Sequence, residues 1–181
     1  MAARPKSQTA ALVASCDDVE VQFYEALQQG DLERLMAVWA DDDDIVCVHP
    51  GGPRLVGPQA IRAAFESIFG NGPIPATPTH VRRIEGPGCT VHHLHERIDI
   101  KTDEGPQVAW VIATNVYLKT VHGWRLVAHH ASPGAAREPA SRDPNPVSGH
   151  LRDGAVGIPN HDLRRGRVVA LDLEHAVRGK P

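Results

Sequence analysis

A histidine followed by a proline and two glycines is the strongest candidate for acid–base chemistry in this sequence. His49 precedes Pro50, Gly51 and Gly52, which predict a tight turn with exposed amide groups. A histidine titrates near pH ~6.5, so its ring can take up or release a proton at neutral pH. His49 is therefore interpreted either as a general base or as a ring that caps the turn through a backbone hydrogen bond.

An asparagine within an alternating apolar segment is the candidate for orienting a carbonyl group. The alternation over 109–117 predicts a strand with Asn115 on one of its faces. The residues predicted to share that face are Ala109, Val111, Ala113 and Tyr117. The face is small near its start and polar at its end, as expected for a pocket lining. An internal asparagine needs hydrogen-bond partners, either a substrate or a neighbouring strand.

Two adjacent histidines end the last predicted strand. Alternation places His130 on the same face as Trp124 and Leu126, and places His129 on the opposite face. The prediction is therefore that His130, and not His129, faces inward. Paired histidines at a strand end are also typical of a solvent-exposed rim.

A third histidine group, His92, His93 and His95, raises the question of metal binding. His93 and His95 point the same way on a strand, where His49 or His130 could complete a three-histidine site. Charged residues at 97 and 99 continue that face and favour a solvated surface. We therefore predict no metal site and no cofactor.

The chain changes its periodicity near the middle. Apolar residues repeat at helical spacing from Asp17 to the Gly30 stop, from the capping residue Asp31 through Trp39, and from Gly57-Pro58 onward. A short strand is predicted over 45–48, and four longer strands over 79–85, 90–101, 107–120 and 124–132. This order predicts an α+β fold with three N-terminal helices on one face of a curved antiparallel sheet.

The composition supports one hydrophobic core. The chain has 181 residues, 41% of them hydrophobic and 4% aromatic, and every aromatic residue lies between Phe23 and Trp124. We predict a flexible N-terminus over 1–16, a domain over 17–133 and a Pro/Gly-rich, largely irregular tail over 134–181.

Charge, hydropathy and cysteine content exclude several classes of protein. A net charge of −3 and a pI near 6.4 argue against a nucleic-acid binder. No apolar run approaches the ~20 residues that span a membrane. Cys16, Cys47 and Cys89 lack a C-x-x-C spacing and predict free thiols in a cytoplasmic protein. The segment ending at Cys16 resembles a lipoprotein processing site, but its apolar stretch is too short.

The order of these motifs resembles the nuclear transport factor two-like superfamily, which includes the ketosteroid isomerases and the SnoaL-like polyketide cyclases. The matching motifs are Gly30-Asp31 between two helices, residues 39–42, residues 57–61 and the closing segment 123–127. The resemblance covers about residues 17–132. It implies a cone-shaped apolar pocket between the helices and the sheet, and a homodimer formed through the sheet.

The resemblance also assigns positions within the pocket. The general base of the isomerases is an aspartate before a proline, and His49 takes that position here. Their oxyanion-binding aspartic acid corresponds to Asn115, and their oxyanion-binding tyrosine to Phe23, which lies beside Tyr24. A phenyl ring cannot donate a hydrogen bond, so the sequence departs from the steroid isomerase pattern.

The resulting hypothesis is a domain that binds a small apolar or carbonyl ligand. The alternative is an isomerase, cyclase or dehydratase in which His49 is the general base and Asn115 with His130 polarises a carbonyl. The residues expected to line the pocket are Phe23, Tyr24, Trp39, Phe65, Val111, Ala113 and Tyr117.

Overall fold

The computed structural model describes residues 15–103 and 105–135, which contain three helices and six strands. The helices are α1 (Cys16–Gln29), α2 (Leu32–Ala37) and α3 (Pro58–Phe69), and the strands are β1 (Val46–Val48), β2 (Arg54–Val56), β3 (Ala76–Gly86), β4 (Cys89–Thr102), β5 (Gly105–Thr120) and β6 (Gly123–Pro133). The predicted α+β fold is confirmed. The tail predicted over 134–181 lies outside the described residues from 136 onward, as does the N-terminal segment 1–14.

Local sequence signals set the helix ends. The Ser15 hydroxyl accepts a hydrogen bond from the Asp18 N–H at 3.1 Å, and the Asp18 carboxylate accepts one from the Ser15 N–H at 3.0 Å. Gly30 ends α1 with φ 65°, a left-handed conformation that costs glycine least. Asp31 then caps α2 by accepting from the Arg34 N–H. The predicted stop at Gly30 and cap at Asp31 are confirmed.

The segment after α2 is extended where the sequence predicts more helix. Ala40 donates a backbone hydrogen bond to the Leu126 carbonyl at 2.9 Å, and the Leu126 N–H donates to the Val38 carbonyl at 2.9 Å. Trp39 thereby forms a parallel bridge with Leu126. The prediction that Trp39 lies on a helix is wrong, because hydrogen bonds to the sheet replace the continuing helical ones.

The six strands form one sheet in the order β2-β1-β6-β5-β4-β3. Strands β3 to β6 make the predicted antiparallel meander. β1 pairs with β6 in parallel, so the sheet is mixed and the prediction of a purely antiparallel sheet is wrong. The sequence of a strand as short as β1 does not indicate which strand it will pair with or in which direction. The three-residue strand β2 was not predicted from the sequence.

A bulge in β6 reverses which residues face inward. The pairing of β5 with β6 skips Val127, which has no partner on β5. Leu126 before it and His129 after it are both buried, whereas His130 is exposed. The prediction that His130 faces inward is therefore wrong, because strict alternation does not hold across an extra residue.

The core lies between the helices and the inward face of the sheet. Phe23 of α1 is at its centre, with ring centroids 6.4 Å from Trp39, 6.4 Å from Phe65 and 5.2 Å from His129. On β5 the inward residues 111, 113, 115 and 117 are buried, as the alternation predicts. Within the described residues, no helix combines the length and apolar character needed to cross a membrane.

Candidate functional site

A cavity of about 40 Å³ lies between α1, α3 and the inward face of the sheet. Three of its lining side chains are polar: His49, Glu96 and His129. The others are Phe23, Leu27, Pro50, Phe65, Ile68, Ile74, Ala76, Ile98 and Ala131. The cavity reaches the surface beside four lining residues that are only half-buried: His49, Pro50, Ile68 and Ile74. The lining is mostly apolar, with three polar side chains among it.

Glu96 is a polar cavity residue that was not among the predicted site residues. It lies on the inward face of β4 and is 5% exposed. Its Oε1 accepts a hydrogen bond from the Tyr24 hydroxyl at 2.8 Å. Burial raises the pKa of the Glu96 carboxyl to about 7, although the bond from Tyr24 acts in the opposite direction. Both the acid and the carboxylate are therefore populated at neutral pH.

A chain of hydrogen bonds connects Glu96 to the other side of the cavity. Tyr24 donates to Glu96, so its oxygen accepts from Asn115 Nδ2 at 3.4 Å. Asn115 Oδ1 lies 2.7 Å from His129 Nδ1, and an amide oxygen can only accept. The network thus assigns the proton of His129 to Nδ1. The four side chains of this chain are buried, so each of these hydrogen bonds takes the place of a hydrogen bond to water.

The two cavity histidines are neutral at physiological pH. Burial lowers the pKa of His129 to about 3, with smaller contributions from His49 and His130. Burial also lowers the pKa of His49. His49 Nε2 lies 3.5 Å from Cys47 Sγ, and burial, together with the charge of Glu96, raises the pKa of that thiol to about 12. The thiol stays protonated and can donate to Nε2. His49 is a weaker base than Glu96, because burial lowers the pKa of the imidazole and raises that of the Glu96 carboxyl to about 7.

A second polar cluster lies one turn closer to the N-terminus of α1. Glu20 Oε2 is 2.8 Å from His92 Nδ1 and accepts a hydrogen bond from the Tyr117 hydroxyl at 3.3 Å. Glu20, His92 and Tyr117 are all buried. Burial and the charge of Glu20 raise the pKa of Tyr117, which stays protonated. Tyr117 therefore belongs to this second cluster.

The predicted site residues lie in four different places: the cavity lining, the hydrogen-bonded chain behind it, the rest of the core and the surface. Those that line the cavity are Phe23, His49 and Phe65. Those in the hydrogen-bonded chain behind its wall are Tyr24 and Asn115. Those buried outside the lining are Trp39, Val111, Ala113 and Tyr117. His130 is exposed, and the neighbouring His129 takes the inward position.

The histidines of β4 do not share one surface. His92 is buried in the second cluster, whereas His93 is exposed and His95 is half-buried on the opposite face of the sheet. The alternation predicted for this strand therefore holds, and it separates His92 from the other two.

Comparisons with solved structures place the fold in the nuclear transport factor two-like (NTF2-like) class. One similar structure is described as a "putative calcium/calmodulin-dependent protein kinase type II association domain" from Thiobacillus denitrificans. It has 34% identity and a TM-score of 0.62, over 67% of this chain and 97% of that one. Another is described as a "putative dehydratase from the NTF2-like family" from Streptomyces avermitilis, at 31% identity and TM-score 0.57, over 65% of this chain and 93% of that one.

A third similar structure supports the fold alone. It is an NTF2-like protein of unknown function from Pseudomonas putida, with 20% identity and a TM-score of 0.58, over 72% of this chain and 93% of that one. The comparison with curated proteins gave no match. A family model for the SnoaL-like domain matches residues 17–136, and the chain belongs to this family.

Proposed function

We propose that this protein binds a small, uncharged, largely apolar molecule with a carbonyl group in the cavity beneath α1 and α3. The observation that carries the proposal is the buried Glu96 carboxyl on the cavity wall. Because Tyr24 donates to Oε1, the proton of the neutral acid belongs on Oε2. That O–H can donate a hydrogen bond to a carbonyl oxygen in the cavity.

The charges of the lining favour a neutral ligand. Glu96 is the one acidic side chain in the lining, and burial favours the neutral form of both histidines. The described lining contains no lysine or arginine to receive an anion. An anionic ligand would lose its hydration without gaining a partner, which is costly in an apolar site, so the lining favours a neutral ligand over an anion.

The cavity volume limits the buried part of the ligand. At about 40 Å³ it is much smaller than the ~150 Å³ engineered cavity that binds benzene. A ligand therefore places only a small group against Glu96 and extends the rest toward the half-buried His49 and Ile68. Larger rings require movement of the side chains near the surface.

We expect small ketones to stabilise the protein, and more strongly below pH 7. Acetone and cyclopentanone are compared with acetate and cyclopentanecarboxylate in thermal-shift titrations at pH 6 and pH 8.5. With a carboxyl pKa of about 7, the protonated fraction of Glu96 falls roughly 30-fold between pH 6 and pH 8.5, and the affinity for a ketone is expected to fall with it. The carboxylates are expected to give no stabilisation at either pH.

Two variants make this test specific to Glu96. The amide of Glu96→Gln can donate at any pH, so its ketone affinity is expected to be equal at pH 6 and pH 8.5. The matched control is Glu85→Gln, at an exposed glutamate on β3, which is expected to keep the wild-type difference. The proposal fails if no ketone binds, if the carboxylates bind as well as the ketones, or if Glu96→Gln retains the pH dependence.

The alternative function is proton transfer, as in an isomerase, cyclase or dehydratase, with Glu96 as the acid–base group. Two observations favour it: a carboxyl pKa near 7 suits proton transfer at neutral pH, and one relative is described as a putative dehydratase. In this reaction the Glu96 carboxylate takes a proton from the carbon beside the carbonyl, and the electron pair moves onto the carbonyl oxygen. His49, which also lines the cavity, then donates to that oxygen or exchanges the proton with solvent.

The alternative predicts catalysed hydrogen exchange in bound ketones. In D2O, the wild-type protein is expected to accelerate replacement of the hydrogens beside the carbonyl of cyclopentanone, increasingly so above pH 7, as followed by proton NMR. Glu96→Gln is expected to reduce this rate at least 100-fold, with Glu85→Gln unchanged. Exchange lost in His49→Gln but retained in Glu96→Gln would assign the base to His49. Exchange no faster than without protein would rule out this function.

A further inference from the structure

The second polar cluster contains a histidine nitrogen without a partner. His92 is 0% exposed, and among the residues that the structure describes its Nε2 accepts and donates no hydrogen bond. Buried polar side-chain atoms are nearly always paired. Nε2 points toward the N-terminal end of α1, where Asp17 Oδ1 lies 3.9 Å away. This atom is therefore available to a ligand at that end of the helix.

Three different metal-binding groups meet at this nitrogen. The ligand atoms of Cys16, Asp17 and His92 all lie within 4.8 Å of one another. Thiolate, carboxylate and imidazole together are a donor set that zinc uses. We propose that these three residues bind a divalent transition-metal ion, with Zn²⁺ the best fit to the donor set.

The surroundings of His92 prepare it to bind a metal. Glu20 Oε2 lies 2.8 Å from His92 Nδ1 and is itself held by the Tyr117 hydroxyl. A carboxylate in this position receives the Nδ1 proton and leaves the lone pair on Nε2. Zinc-binding histidines commonly have this arrangement, in which a carboxylate fixes the tautomer and the ring orientation. Glu20 is thus a positioning residue.

The cluster needs a modest contraction to hold an ion. Ligand atoms in a tetrahedral zinc site are about 3.6 Å apart, so distances up to 4.8 Å must close by about 1 Å. Cys16 is half-buried and the Asp17 side chain is 55% exposed, so both can rotate. Asp17 Oδ1, which faces His92 Nε2 at 3.9 Å, also accepts from Arg83 at 2.9 Å, so metal binding requires either that this oxygen is shared or that the carboxylate rotates to present Oδ2. A water molecule would complete the tetrahedron as the fourth ligand.

The site is separate from the cavity, so its test does not depend on the proposed function. Cys16 and Asp17 lie in the first turn of α1, whereas Leu27 of the cavity lies in the last. On β4, His92 and Glu96 are four residues apart, about 13 Å along an extended strand.

Cobalt titration tests the proposal directly. The full-length, untagged chain is reduced, freed of metal with a chelator and titrated with Co²⁺, then with Zn²⁺. We expect one ion per chain, a thiolate-to-cobalt charge-transfer band, and displacement of that band by Zn²⁺. Cys16→Ser is expected to abolish the band and weaken Zn²⁺ binding at least tenfold, and Asp17→Asn to weaken it less. Cys89→Ser, at the other half-buried thiol, is the matched control and keeps the band.

The outcomes are distinct. A band that persists in Cys16→Ser or disappears in Cys89→Ser overturns the site, as does a folded wild-type chain that binds no ion. His92→Gln is expected to lose binding if circular dichroism shows it folded. If His92→Gln does not fold, because His92 is buried, the variants of the half-buried Cys16 and the exposed Asp17 decide whether the site exists.

Discussion

Glutamine in place of Glu96 is expected to remove a large loss of stability between pH 4.5 and pH 8.5. Burial raises the pKa of the folded carboxyl from 4.5 to about 7, so the folded state holds this proton more tightly than the unfolded chain. The stabilisation is fully present below pH 4.5 and is lost as the pH rises through 7. The shift corresponds to about 3 kcal/mol in the free energy of unfolding.

Denaturant unfolding at a series of pH values measures this effect. The free energy of unfolding of the wild-type protein is expected to fall by about 3 kcal/mol relative to that of Glu96→Gln between pH 4.5 and pH 8.5. The amide of the variant still offers an oxygen to the Tyr24 hydroxyl, so the substitution changes the titration more than the packing. Glu85→Gln is expected to run parallel to the wild type. Parallel curves for wild type and Glu96→Gln would contradict the prediction.

The helix ends and the long strands were predictable because their signals are local. Gly30 and Asp31 end one helix and begin the next through their own backbone and side-chain preferences. Alternation alone places Val111 and Ala113 inward on β5. The same rule applied to β4 places Glu96 between the inward Leu94 and Ile98, so the burial of Glu96 could have been predicted from the sequence.

The partners of the buried polar groups could not be found in this way. Glu96 receives its hydrogen bond from Tyr24, and His92 contacts Glu20, each across 72 positions of the chain. Which helix turn lies above which strand residue depends on how the two layers pack. The pKa of Glu96 follows from that packing, and so does the cavity that its side chain lines.

The positions of His129 and His130 depend on strand pairing. Val127 is an extra residue only in the register of β6 against β5, because a bulge is a mismatch between two paired strands. Neither strand shows it in its own pattern. The consequence for the site is large, since the bulge brings a histidine rather than an alanine to the end of the hydrogen-bonded chain that begins at Glu96.

Acid is expected to destabilise the protein mainly through His129. Burial lowers the pKa of the folded ring from 6.5 to about 3, whereas the unfolded ring titrates near its ordinary value. Its contribution to stability is fully present above pH 6.5 and is lost as the pH falls toward 3. The full shift corresponds to about 5 kcal/mol. His129→Asn retains a donor for Asn115 Oδ1 and removes the titrating ring.

The measurement is the free energy of unfolding of His129→Asn and the wild type from pH 8 down to pH 4. The variant starts less stable because its smaller side chain leaves a void, but it is expected to lose less stability in acid. His130→Asn, at the exposed neighbour, should follow the wild type. Between pH 4.5 and 6.5 Glu96 and His129 have opposite slopes, so Glu96→Gln should be the most acid-sensitive of these proteins. An acid-sensitive His129→Asn would mean that His129 is not held neutral by burial.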